Sequence, residues 1–166
     1  MIALEINNIA SFMSRLLSGE MFDSFLLEEA VIRMSVTWTL DGHLNEKNSA
    51  EDGSASVRSL RELVPWRDVR PHCYGLIRGK VMPHAFRFVL HAGDEMKAAL
   101  LSNADGSEGA SFLRAMLFNV LYDGETLRVV TGISYNAFTV DKSPEGIWDA
   151  MVRRFLEQAD ISYTEL

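Results

Sequence analysis

The chain has 166 residues, 48% of them hydrophobic and 23% charged, with one cysteine, 4 prolines and a formal charge of -7. That length closes one ordinary core and is too short for two comfortable domains, and a folded chain of this size hides about 70% of its unfolded surface without help from metal or disulfide. A lone cysteine forbids an intramolecular bridge, the few prolines exclude collagen-like and proline-rich chains, and the apolar content excludes disorder. The expectation is one soluble domain over residues 1–166.

Apolar runs such as Phe25 to Leu27 and Ala98 to Leu101 fall far short of the roughly 20 residues a bilayer span needs, so no membrane partner is expected. Met1 to Glu5 lacks the basic and apolar regions of a secretory signal, and the single Cys73 suits a reducing cytoplasm. The acidic balance repels a phosphate backbone at long range, which makes nucleic acid a disfavoured partner.

In chain order, Ile2, Leu4 and Ile6 alternate with Ala3 and Glu5 as a short strand, and Asn7 or Asn8 can cap a helix after it. Ile9, Phe12, Met13, Leu16 and Leu17 form one helical stripe, with Gly19 as its left-handed stop. From Leu26 to Leu40, Glu28 apart, the period is two. Ala30, Ile32, Met34, Val36, Trp38 and Leu40 share one face, which predicts a long half-buried strand turning back at Asp41-Gly42. Asn45 to Ser56 has no large apolar side chain and predicts a mobile loop near 45–57.

Trp66, Val69, Cys73, Leu76 and Ile77 recur at helical spacing up to Gly79, and Pro71 predicts a helix shorter than this pattern. Ala85 to Ala92 alternates as a strand. Asp94 to Leu101 fits either a short helix capped by Asp94 or a strand start, and Asn103 to Gly109 reads as polar loop. A hairpin joins Phe112–Tyr122 to Glu125–Ile133 through the two-residue turn Asp123-Gly124, opposing Phe118 to Val129 and Val120 to Leu127. Gly132 suggests a bulge, with Asn136 to Asp141 continuing the sheet. Ser143-Pro144-Glu145 starts a last helix that buries Ile147, Met151, Phe155 and Ala159. Too few helical crossovers are present for a parallel doubly wound sheet. The fold class is α+β, a mainly antiparallel sheet packed by amphipathic helices at the N-terminus, middle and C-terminus.

Three stretches carry a resemblance. They are Leu4-Glu5-Ile6 with Phe12-Met13 and Phe22 to Ala30; Leu40-Asp41-Gly42-His43-Leu44-Asn45; and Thr131-Gly132-Ile133-Ser134 with Phe138 to Ser143 and Trp148-Asp149. Together they resemble an uncharacterised family of small bacterial proteins known only as a domain of unknown function. The resemblance implies a bacterial, cytoplasmic protein and assigns no catalytic residue.

His72 and Cys73 are adjacent, so their side chains leave a helix about 100° apart and cannot form a catalytic dyad by themselves. Cys73 falls on the apolar stripe and reads as core. The histidines at 43, 72, 84 and 91 show no metal-ligand spacing, and no phosphate loop, serine elbow or kinase signature occurs, so neither a metal nor a cofactor is implied. Charge alone departs from an ordinary pattern: Val57 to Gly93 holds seven basic residues against Glu62 and Asp68, a net of +5 in a chain of -7. Arg67 and Arg70 share a face if the helix holds through Pro71, and with Arg87 they could bind an anion, His72 or His91 moving a proton. The alternative is that these arginines make ordinary ion pairs.

Three functions stay open. The residues favour a non-catalytic binding or interaction domain, with a homodimer through an uncovered sheet face or edge as its partner, because no nucleophile, base and oxyanion donor assemble. The second is an enzyme or sensor for a small phosphate or carboxylate that uses the basic 57–93 segment. Nucleic-acid binding is the third, if that segment gathers on one exposed face.

Overall fold

The computed structural model describes residues 1–45, 62–79, 81–104 and 106–166, and within them alternating apolar side chains build an antiparallel sheet that helices cover on one side. Strand β1 (Ala3–Ile6) leads into α1 (Ile9–Leu17), whose first turn is capped by Asn8 Oδ1 accepting from the Ser11 N–H at 3.0 Å. Phe12, Leu16 and Leu17 are buried as the stripe predicts. Gly19 is no left-handed stop. It is needed because a Cβ there would lie 2.9 Å from the Arg15 carbonyl oxygen.

The predicted long strand over 26–40 is a hairpin instead, β2 (Phe25–Arg33) and β3 (Thr37–Asp41), folded at Met34 to Val36. Alternation survives a three-residue turn that contains neither glycine nor asparagine, so the period alone could not reveal it. The predicted turn at Asp41-Gly42 is absent. Glu28, the residue outside the alternation, is a bulge: pairing with the next strand shifts between Leu27 and Glu29, which lets both Leu27 and Ala30 face the core.

The predicted loop at 45–57 lies outside the described residues apart from Asn45. Two residues, β4 (Val64–Pro65), pair with β2 and run into α2 (Trp66–Ile77), which continues through Pro71 rather than stopping short. Burial of Trp66 and Cys73 holds the helix against the sheet across that missing hydrogen bond, and the Trp66 indole donates to the Leu16 carbonyl at 2.9 Å. Strand β5 (Ala85–Ala92) has its predicted bounds. The ambiguous segment is helix α3 (Asp94–Asn103), with Gly93 rather than Asp94 as its N-cap, and the predicted polar loop gives way to a short α4 (Glu108–Ser111) capped by Ser107.

The second hairpin is β6 (Leu113–Tyr122) and β7 (Leu127–Tyr135), with four residues rather than two in its turn. Val120 therefore opposes Val129, and Phe118 opposes Thr131. The slip of two residues preserves which side chains face the core, so the pattern allowed either register. Asp123 decides it by accepting from the Thr126 N–H at 2.8 Å, the Glu125 N–H at 3.0 Å and the Thr126 hydroxyl at 2.9 Å. The bulge falls at Arg114 and not at Gly132, which pairs regularly with Leu117.

Asn136 to Asp141 is loop, with Phe138 and Val140 strongly exposed. Asp141 fastens it: the carboxylate accepts from Ser107 Oγ, Gly109 N, Ser143 N and Ser143 Oγ, which together hold its pKa below the usual carboxylate range. Helix α5 (Ser143–Gln158) starts at the predicted residues, with Lys142 rather than Ser143 at the N-cap, and buries Trp148, Val152 and Leu156, leaving the predicted Ile147, Met151, Phe155 and Ala159 half-buried beside them. A last strand, β8 (Tyr163–Glu165), pairs with β1.

The sheet order is β3-β2-β5-β6-β7-β1-β8, all neighbours antiparallel, with β4 added to β2. Five phenylalanines at 12, 22, 25, 118 and 155 meet beneath the helices, with ring centroids 5.3 to 6.4 Å apart. The opposite, outer face carries Val31, Arg33, Arg87, Val89, Leu121, Arg128 and Val130, which lie outside that core. No helix among the described residues is long and apolar enough to cross a membrane.

Candidate anion-binding site

Strand pairing on the outer face aligns Val31, Arg87, Leu121, Arg128 and Glu5 in one row across β2, β5, β6, β7 and β1. Neighbouring strands lie about 4.8 Å apart, so the backbones of Arg87 and Arg128 stand about 10 Å apart with Leu121 between them. Arg33, two residues along β2 from Val31, completes a cluster of three guanidinium groups. They line a depression of about 330 Å³ together with Val31 and Leu121 of the outer face, the edges of the core residues Phe86 and Tyr122, and Asp123 and Thr126 of the β6–β7 turn.

The three arginines differ in their engagement. Arg87 forms an ion pair with Glu29, both side chains being partly exposed. Arg128 has Glu5 at 3.8 Å and Asp123 at 4.0 Å, beyond hydrogen-bond distance, and its buried Nε has no hydrogen-bond partner among the described residues. An orphaned charged donor of this kind gains most from an incoming acceptor. Arg33 is exposed at the rim.

Among the described lining residues, the hydroxyls and the carboxylate are engaged with the turn. Tyr122 donates its hydroxyl to the Gly124 carbonyl at 2.7 Å, and Thr126 donates its own to Asp123. Three donors pull the Asp123 pKa down to about 2, so its carboxylate is a poor base near neutrality. The arrangement can hold an anion by charge and forked hydrogen bonds, with Val31 and Leu121 beside it.

Of the anion-site residues expected from sequence, Arg67, Arg70, Arg87, His72 and His91, only Arg87 belongs here. Arg70 is spent inside the fold on Asp23 and the Gly19 carbonyl. Arg67 borders a different depression of about 240 Å³, beside Asp23, Asp94 and Glu95, where acidic groups prevail. His72 is exposed on α2. His91 lines a larger cleft of about 580 Å³ and pairs with Glu28. Both bulge residues, Glu28 and Arg114, belong to that cleft's lining, where Glu62 and Asp94 offset Lys97 and Arg114. Cys73 is fully buried, and burial pushes its thiol up to about 12. Among the described residues no group of three or more His, Cys, Asp or Glu is placed to hold a metal ion.

Sequence reading missed Arg33 and Arg128. Each sits on the polar side of a strand pattern, a usable signal, but only the order of the strands brings them beside Arg87.

No protein of curated function and no solved structure matches this chain. A family model does match, over residues 15–164, and it takes in all three arginines and every element from β2 to α5. The chain belongs to that family, described as a family of unknown function (DUF5721).

Proposed function

We propose that this is a single-domain, non-catalytic binding protein of the bacterial cytoplasm that takes a small anionic ligand, a phosphate or carboxylate, on the outer face of its sheet. Arg87 and Arg128 grip the anion from either side of Leu121, and Arg33 closes on it from the rim. The observation that carries this reading is the three-guanidinium cluster around one depression in a chain of net charge -7, with a buried Arg128 Nε that has no hydrogen-bond partner among the described residues. The bacterial and cytoplasmic setting comes from the family resemblance and from the lone buried thiol.

Titration calorimetry with inorganic phosphate, a nucleoside monophosphate and a dicarboxylate tests it. Saturable binding that Arg87→Ala and Arg128→Ala each weaken by about tenfold, and Arg67→Ala leaves alone, supports the site. No heat from any of the three anions, or binding insensitive to both variants, would sink it.

The His91–Glu28 pair favours a second reading, an enzyme or sensor working in the larger cleft, because a carboxylate fixes the orientation of an imidazole there. Anion binding lost in His91→Ala and kept in Arg128→Ala would select it.

A further inference from the structure

We infer that β3 is a dimerisation edge that pairs with β3 of a second copy, antiparallel and centred on Thr39. Among the described residues β3 ends the sheet, and its outer side carries no strand. The Met34 N–H donates to the Val36 carbonyl at 2.9 Å and the Gly42 N–H to the Glu28 carbonyl at 2.8 Å. These two bonds make Ile32–Trp38 and Ala30–Leu40 the hydrogen-bonded pairs of the hairpin. Thr37, Thr39 and Asp41 therefore turn their backbone N–H and C=O groups outward, ready for another strand.

The five residues Thr37-Trp38-Thr39-Leu40-Asp41 contain no proline, lysine or bulge, and their one charge, Asp41, lies at the end of the strand. Large apolar side chains lie open on the same hairpin, Trp38 at 46% and Val36 at 56% exposure. The five residues are also self-complementary. Antiparallel pairing about Thr39 sets Trp38 against Leu40 of the second copy on one face. On the other face it sets the Thr37 hydroxyl against the Asp41 carboxylate, whose Oδ1 is held by the His43 N–H and ring nitrogen and whose Oδ2 is the second acceptor. The two Asp41 carboxylates then stand about 14 Å apart, whereas a parallel pairing would place them side by side. That charge pattern chooses the twofold arrangement and a second copy as the occupant. A ladder this short falls below the standard interface of about 1,600 Å², so a weak, concentration-dependent dimer is expected.

Sedimentation velocity across micromolar to millimolar concentrations tests the inference, read together with tryptophan fluorescence, because Trp66 and Trp148 are buried and Trp38 is the exposed tryptophan. The wild-type chain should shift from monomer to dimer as Trp38 becomes shielded from acrylamide. Thr39→Pro removes only an outward N–H and should weaken the dimer at least about tenfold with an unchanged far-ultraviolet spectrum. Thr39→Lys, which sets two like charges directly opposite, should do the same and decides the matter if the proline variant fails to fold. A chain monomeric at millimolar concentration, or a dimer that persists in the folded variants, overturns it. So does a monomer whose Trp38 is already shielded, since its own residues would then cover the edge.

Discussion

Gly42 lies so close to Leu27 that a Cβ at position 42 would sit 1.8 Å from the Leu27 carbonyl oxygen. The same residue donates its N–H to Glu28 and accepts from the Val64 N–H at 2.9 Å, so one glycine joins the end of β3, the bulge in β2 and the start of β4. The obstructing atoms are all backbone of Leu27 and Glu28, which cannot swing aside as a flexible side chain would. Gly42→Ala should destabilise the protein by more than about 3 kcal/mol or prevent folding, measured by urea denaturation.

Phe22 is the hub of the aromatic core, within 5.7 Å of the rings of Phe12, Phe25, Phe118 and Phe155. Phe22→Ala should lower stability by about 3–5 kcal/mol, because four rings lose contacts and the helices cannot close the space. A loss below about 1 kcal/mol would show that the cluster relaxes around the gap.

Glu29 competes with any ligand for Arg87. Glu29→Gln should therefore bind inorganic phosphate several-fold more tightly than wild type, while Arg128→Ala binds it about tenfold more weakly. Calorimetry on the two variants checks both signs, and a weaker Glu29→Gln would mean that the pair positions Arg87 instead of occupying it.

The Asp123 carboxylate has its pKa lowered from 3.8 to about 2 by three donors of the β6–β7 turn. A depressed folded-state pKa gives stabilisation that is complete above the unfolded value and is lost as pH falls through the folded one. The turn should hold unchanged down to about pH 4 and loosen between about pH 4 and pH 2. Amide exchange at Glu125 and Thr126 should report this, and Asp123→Asn should remove the transition.

Cys73 is buried with its thiol held near 12, so the folded protein should not react with a chromogenic disulfide reagent at neutral pH. One thiol should appear only after denaturation. Rapid native labelling would show that α2 opens readily, since Pro71 lies two residues away within the same helix.

The residues of α1 and β5 specify their own conformation: the stripe from Ile9 to Leu17 and the alternation from Ala85 to Ala92 each occur in a segment bounded by a cap or a proline. Such patterns are local and can be read in a single segment. Where a pattern tolerates two structures, the choice passes to distant groups. Alternation from Leu26 to Leu40 fits one strand or a hairpin, and Val64 and Gly42 packing on β2 accompanies the second. Periodicity along α5 offered Ile147 and Phe155, yet Trp148 is buried deeper because its indole reaches the Leu117 carbonyl at 3.0 Å.

Charge followed the same division. The basic stretch around Arg67, Arg70 and Arg87 was plain in the sequence, but proximity along a chain does not make proximity on a surface. Arg70 went to Asp23, Arg67 to an acidic depression and Arg87 to a row shared with Arg128. The sequence by itself determined the α+β class, the helix at each end and which side of β1, β2, β3, β5, β6 and β7 is oily, since all of these follow from local periodicity, whereas the two- and three-residue β4 and β8 are too short to show one. Only the tertiary structure decided which arginines stand together, because guanidinium groups from β2, β5 and β7 become neighbours through hydrogen-bonded strand order, a long-range property that no single segment encodes.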